Sequence, residues 1–85
     1  MPTSLTGPSR TPDPIALAWG EELRRYRERE ELTQVDLAGQ LAVHQTTVSQ
    51  IERGSLIPSA RLQRTIVRTC GLDAATVHRL VRGTA

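Results

Sequence analysis

At 85 residues the chain has room for one small domain with a core close to the minimum that folds unaided, and with no Phe, one Trp and one Tyr that core must come from Leu, Val, Ile and Ala. One cysteine excludes an intrachain disulfide and any multi-cysteine metal site, and no apolar run reaches membrane-spanning length. The formal net charge is only +2, but it is unevenly spread: residues 1–52 hold 5 Arg against 8 Asp and Glu, while residues 53–85 hold 6 Arg against 1 Asp. That asymmetry suits a chain whose C-terminal half faces a polyanion, with Arg, the only basic residue type besides His, able to pair bidentately with phosphate or carboxylate. The N-terminus carries no signal-peptide pattern, so the expected setting is a soluble protein inside the cell.

Residues 1–12 are rich in Pro, Ser, Thr and Gly and read as a disordered tail; Arg10 as a minor-groove arm is the lesser alternative. Residues 13–83 read as the folded domain. Asp13 can cap a first helix with Pro14 at its first position, where the missing N–H costs nothing. Ile15, Trp19, Leu23 and Tyr26 recur at helical spacing on one stripe, with Arg27 at its edge. On the outer face Glu21–Arg25 and Arg24–Glu28 are spaced as i,i+4 ion pairs.

A second helix is expected over about 34–41, with Thr33 as N-cap and Asp36 completing an aspartate form of the capping box. Leu32 and Leu37 flank that start as a hydrophobic staple, and the same pattern returns with Val43 and Val48, then with Leu72 and Val77. The third helix is expected over about 45–53, closed by Gly54 in the left-handed position after it. A loop from Ser55 to Pro58 leads to a fourth helix capped by Ser59, with Leu62, Ile66, Val67 and Cys70 on one side and Gly71 at its end. Asp73 caps a fifth helix carrying Val77, Leu80 and Val81 and stopping at Gly83. No strand pattern and no repeat appears. The fold class is all-α, a compact bundle of five short helices.

On a helical wheel Val48 and Ile51 of the third helix point one way, and Gln45, Thr46, Ser49 and Gln50 span the other. An ordinary solvated face would carry Glu, Lys and Arg, as the first helix does. Amides and hydroxyls instead match base-edge reading: Gln pairs bidentately with adenine N6 and N7, and Ser or Thr with several edges. Small polar residues that merely solvate the helix are the competing explanation.

Gln34, Ala38, Ala42, Val43, Val48 and Ile51, followed by Glu52-Arg53-Gly54, resemble the helix-turn-helix core of lambda-repressor/Cro-like (XRE-type) DNA-binding domains. The likeness extends over roughly Trp19 to Leu80 and includes the Leu-Thr-Gln opening of the second helix, the Val-Ser-Gln-Ile-Glu-Arg-Gly run and the Pro-Ser start of the fourth. It implies a recognition helix in the major groove and a second helix across the backbone. Gln45, Thr46 and Gln50 would then contact bases, and Ser49 a base or a phosphate. Gln34, Arg53 and Arg61 would hold phosphates, with His44 able to join them when protonated. Arg27 and Glu52 match positions that pair between the first and third helices in some members.

The departures from that pattern lie at its edges. Ala42 and Glu31 stand where Gly is usual, and left-handed backbone there costs about 1 kcal/mol each. His44 replaces the usual Ser or Thr cap, and Leu56 and Ile57 replace basic residues. The resemblance implies a sequence-specific regulator of double-stranded DNA, a repressor in the cytoplasm and nucleoid, working as a homodimer on a palindromic operator. An antitoxin or adaptor gripping another protein is the alternative, and exposure of Leu56 and Ile57 would favour it. The fifth helix serves the dimer in this family, or Val77, Leu80 and Val81 belong to the monomer's own core; both readings stay open. Neither a cofactor nor a metal is expected, and an enzyme is not: His44 and His78 are far apart, and Cys70 falls on an apolar side.

Overall fold

The computed structural model describes residues 13–82, so the expected N-terminal tail with Arg10 and the stop at Gly83 lie outside the described residues. Five helices follow one another: α1 (Pro14–Arg29), α2 (Gln34–Leu41), α3 (Gln45–Glu52), α4 (Ala60–Cys70) and α5 (Ala74–Val81). No strand occurs among the described residues, and the domain is all-α.

Four of the five starts are capped by a side chain. Asp13 accepts from Ile15 N at 2.7 Å, Thr33 from Asp36 N at 3.0 Å, Ser59 from Leu62 N at 3.2 Å and Asp73 from Thr76 N at 2.8 Å. Each satisfies one of the amides a helix start leaves unpaired. The cap hydrogen bonds also hold the Asp36 and Asp73 carboxyls below their ordinary range, because they are made to the charged form.

The interior is built as the composition requires. Trp19 and Leu23 from α1, Leu37, Ala38 and Leu41 from α2, Val48 and Ile51 from α3, Ile66 and Cys70 from α4 and Leu80 from α5 form one buried cluster. Gly20 decides how closely α3 lies on α1. A Cβ at that position would stand 2.9 Å from Glu52 Cα and closer still to the Ile51 carbonyl oxygen. Only a residue without a side chain lets the two backbones meet there.

Three expectations are revised. Arg25 pairs with Glu22 at 3.1 Å rather than with Glu21, and Arg24 turns away from Glu28 to reach α3, where its Nη2 donates to the Glu52 carbonyl at 3.0 Å. Helix α3 stops at Glu52, with Arg53 as its C-cap and Gly54 left-handed behind it at φ 80°. Leu56 packs against the core while Ile57 beside it is exposed, so the loop does not present both as an apolar pair. On α5 the apolar positions divide: Leu80 is buried, Val77 half-buried and Val81 exposed.

Candidate nucleic-acid interface

The segment from Thr33 to Gly54 is built from its ends inward. Thr33 and Asp36 form a complete capping box, each accepting from the other's backbone N–H at 3.0 Å, which fixes where Gln34 begins α2. At the far end Ala42 adopts φ 60°, ψ 44°, the left-handed cap that turns the chain, and Val43 N closes the turn on the Ala38 carbonyl at 3.0 Å. Glu31 is likewise left-handed at φ 58°. Two residues with a Cβ therefore sit where glycine is unstrained, one on each side of α2. Next comes His44, the N-cap of α3, which makes no side-chain cap hydrogen bond. The first amides of α3 are left to solvent or to an anion.

Helix α3 has two unlike faces. Val48 and Ile51 are fully buried, and Glu52 is 4% exposed. Opposite them Gln45 and Thr46 are exposed, and Ser49 and Gln50 half-buried. The groups that would meet bases thus stand on a helix whose other side has no freedom to rotate.

Four of the residues singled out from the sequence join in one chain of hydrogen bonds. Arg27 Nε donates to Glu52 Oε2 at 2.8 Å and its Nη2 to Oε1 at 3.0 Å, a bidentate pair. Gln34 Nε2 donates to the same Oε1 at 3.1 Å, and Gln45 Nε2 donates to Gln34 Oε1 at 2.8 Å. The chain runs from the interior of the α1–α3 contact to the outer end of α3. The Glu52 hydrogen bond, with the carboxylate charge, raises the Arg27 pKa further above an already high value, so the guanidinium stays charged at every accessible pH. Arg24 Nε also lies 3.9 Å from Glu52 Oε1, so removing Arg27 would leave the buried carboxylate with that longer ion pair and the Gln34 amide in place of a bidentate partner.

The remaining candidates stand apart from this chain. Arg53 is exposed and its Nη1 donates to Ser49 Oγ at 2.6 Å, which aims the cation back along the outer face of α3. Arg61, in the first turn of α4, shares a groove with Ala42 and Val43 of the turn, together with Ser59 and Thr65. That places Arg61 beside the α2–α3 connection, although 19 residues separate it from Ala42 in sequence. Thr46 and Gln50 make no side-chain hydrogen bond within the described residues, so their hydroxyl and amide are free for a ligand.

Two links were not legible in the sequence. Gln34 was expected on a phosphate, yet its amide is already shared between Glu52 and Gln45, leaving one N–H for a further partner. Arg24 was expected only as a partner of Glu28 on the wet face, yet it reaches across to donate to the last carbonyl of α3, that of Glu52. The first depends on how α2 packs on α3 and the second on how α1 crosses α3, neither of which a local pattern encodes.

Elsewhere the titratable groups are scattered. Cys70 is buried, and desolvation pushes its thiol up to about 11, the opposite of an activated nucleophile. Among the described residues no three His, Cys, Asp or Glu side chains are placed to share a metal ion. No described helix is long and apolar enough to cross a membrane.

A search of curated proteins returned no match to this sequence. A family model described as a helix-turn-helix domain matches residues 18–80, which takes in α3, the capped turn before it and nearly all of the helices that hold it. With that match over most of the chain and a bundle whose third helix turns an uncharged face outward, the chain belongs to the helix-turn-helix family of DNA-binding domains.

Proposed function

We propose that this protein is a sequence-specific transcriptional regulator of double-stranded DNA, acting as a repressor in the cytoplasm and nucleoid. The observation that carries the reading is the division of α3: Val48, Ile51 and Glu52 are immobilised inside, while Gln45, Thr46, Ser49 and Gln50 present only amides and hydroxyls outward. With α3 in the major groove those four reach base edges, and Arg53, Arg61, His44 and the remaining Gln34 N–H meet phosphates. One module of this size buries little DNA surface, so specific binding calls for two copies on a two-fold symmetric operator with half-sites about 34 Å apart.

The test is selection of bound sequences from a randomised duplex pool at physiological salt. A convergent palindromic motif is expected; recovery of unenriched DNA overturns the reading. On the selected site Gln45→Ala should cost about 1–3 kcal/mol and relax the motif at one position. Arg53→Ala should weaken all duplexes alike and lower the slope of log K against log salt by about 0.9.

A second reading, an antitoxin or adaptor that grips a protein partner, draws on the exposed Ile57 and Val81, which are 41% and 62% accessible. Under it the selection returns no motif.

A further inference from the structure

Helices α4 and α5 leave a groove of about 450 Å³ that no residue of α2 or α3 lines. Val67 of α4 with Val77 and Val81 of α5 give it apolar walls above the buried Trp19 of α1, and Arg64 and Arg68 stand at its α4 edge. We propose that this groove docks a partner protein, which enters as a short helix whose apolar side chains are flanked by Asp or Glu one turn apart. The inference does not rest on α3 entering DNA.

The walls call for apolar side chains. Val67 and Val77 are only half-buried and Val81 is 62% exposed, so apolar carbon from both helices still faces water that a partner would displace. The edge calls for negative charge. Arg24, Arg25, Arg27, Arg29 and Arg79 each reach a carboxylate at between 2.8 and 3.9 Å. Arg64 and Arg68 are exposed and reach none among the described residues, and no acidic side chain lines the groove. They lie four positions apart on α4, about 6 Å along its axis, which is the spacing of two carboxylates at i and i+4 on a facing helix.

Other occupants meet one of these demands and fail the other. A second copy of this chain would bring its own Arg64 and Arg68 to the same place, within a segment, residues 53–85, that holds 6 Arg against 1 Asp. Residues 1–12 carry Arg10 and no acidic side chain, so they share the sign of the edge. A nucleic-acid backbone would satisfy the arginines but has no apolar group to lay on Val67, Val77 and Val81. An acidic amphipathic helix answers both demands.

The experiment selects binders to the full chain from a displayed library of random peptides about 16 residues long, or roughly four helical turns. The bound site is then mapped by backbone amide NMR. Selected peptides should carry Asp or Glu at i,i+4 spacing beside apolar residues. They should shift the amides of Val67, Val77 and Val81 and leave those of Thr46 to Gln50 in place. Arg64→Glu together with Arg68→Glu changes two exposed side chains and keeps the apolar walls, so the variant folds. It should bind the selected peptide about tenfold or more weakly, and should instead prefer a version of that peptide with Lys in place of its acids. Val81→Asp, at another exposed position, should also weaken the selected peptide.

The proposal is overturned by a selection that returns no peptide, by binders without acidic residues, or by binders that shift α3 instead. Unchanged affinity after both arginine reversals overturns it as well. A concentration-dependent dimer in sedimentation, broken by Val81→Asp and indifferent to the peptide, would assign the groove to a second copy. Displacement of the peptide by a random-sequence duplex, with shifts at Val67 and Val77, would assign it to a phosphate backbone; either result overturns the proposal. The duplex selection described for α3 is a separate measurement, so each reading can fall without the other.

Discussion

Helices α3 and α5 both rest on α1, and they are held in very different ways. At α3 the backbones touch over Gly20, Arg27 grips Glu52 through two hydrogen bonds and Arg24 takes the terminal carbonyl. At α5 the hold is Leu80 in the core and a single looser ion pair, Arg79 Nη2 to Glu22 Oε2 at 3.7 Å, with Val81 in solvent and an apolar groove against α4 lined by Val67, Val77 and Val81. Contacts with fixed geometry are thus concentrated on the helix that we propose reads base edges. The helix at the periphery is fastened by burial, which is not directional.

That contrast can be broken most forcefully at Gly20. Gly20→Ala should destabilise the domain by about 4 kcal/mol or more, because the added Cβ meets backbone that cannot step aside; a thermal melt within a few degrees of the natural protein would show that α1 and α3 are not in backbone contact. Next in size, Arg27→Ala should cost about 3 kcal/mol by removing the bidentate partner of a carboxylate whose side chain is 2% exposed and leaving it only the 3.9 Å approach of Arg24 and the Gln34 amide. Arg25→Ala, where the cation is 62% exposed, should cost under about 1 kcal/mol. Equal denaturation midpoints for these two variants would remove the special standing of the α3 anchor.

Relief of the turn sharpens the same contrast from the other direction. Ala42→Gly should raise stability by about 0.5 kcal/mol, the left-handed strain of about 1–2 kcal/mol less the backbone entropy that glycine adds to the unfolded chain. A fall in stability would mean that the Ala42 methyl contributes more than its backbone conformation costs. The smallest global effect is expected at Arg79→Ala, under about 1 kcal/mol, with faster amide hydrogen exchange confined to α5. Exchange accelerated equally in α3 would mean that the two helices open together.

How far the sequence reached depended on range. Helix starts were legible because the cap and the amide it serves lie within three residues, as at Thr33 and Asp36 or Asp73 and Thr76. The fold class followed from periodicity, and the unusual outer face of α3 from the absence of charge in it. The tie between Arg27 and Glu52 was suggested only by resemblance, whereas the sharing of Gln34 between Glu52 and Gln45 was not suggested at all. Arg27 and Glu52, 25 residues apart, meet where Gly20 lets α3 down onto α1, and Gln34 reaches Glu52, 18 residues on, across the α2–α3 packing; a glycine inside a helix gives no local sign of what crosses it. Charge spacing misled for a related reason: Arg24 and Arg25 each had a suitable glutamate one turn away, but a tertiary carbonyl and Glu22 took them instead.

Trp19 sits fully buried where α1 faces both α3 and the α4–α5 side, and its indole Nε1 has no hydrogen-bond partner. As the chain's single tryptophan it is a built-in optical probe. An indole shielded from water and donating to nothing fluoresces at short wavelength, and the emission moves to the red once water reaches the ring. Loss of the core can therefore be followed in the unlabelled protein, with amide exchange reporting on α5 separately.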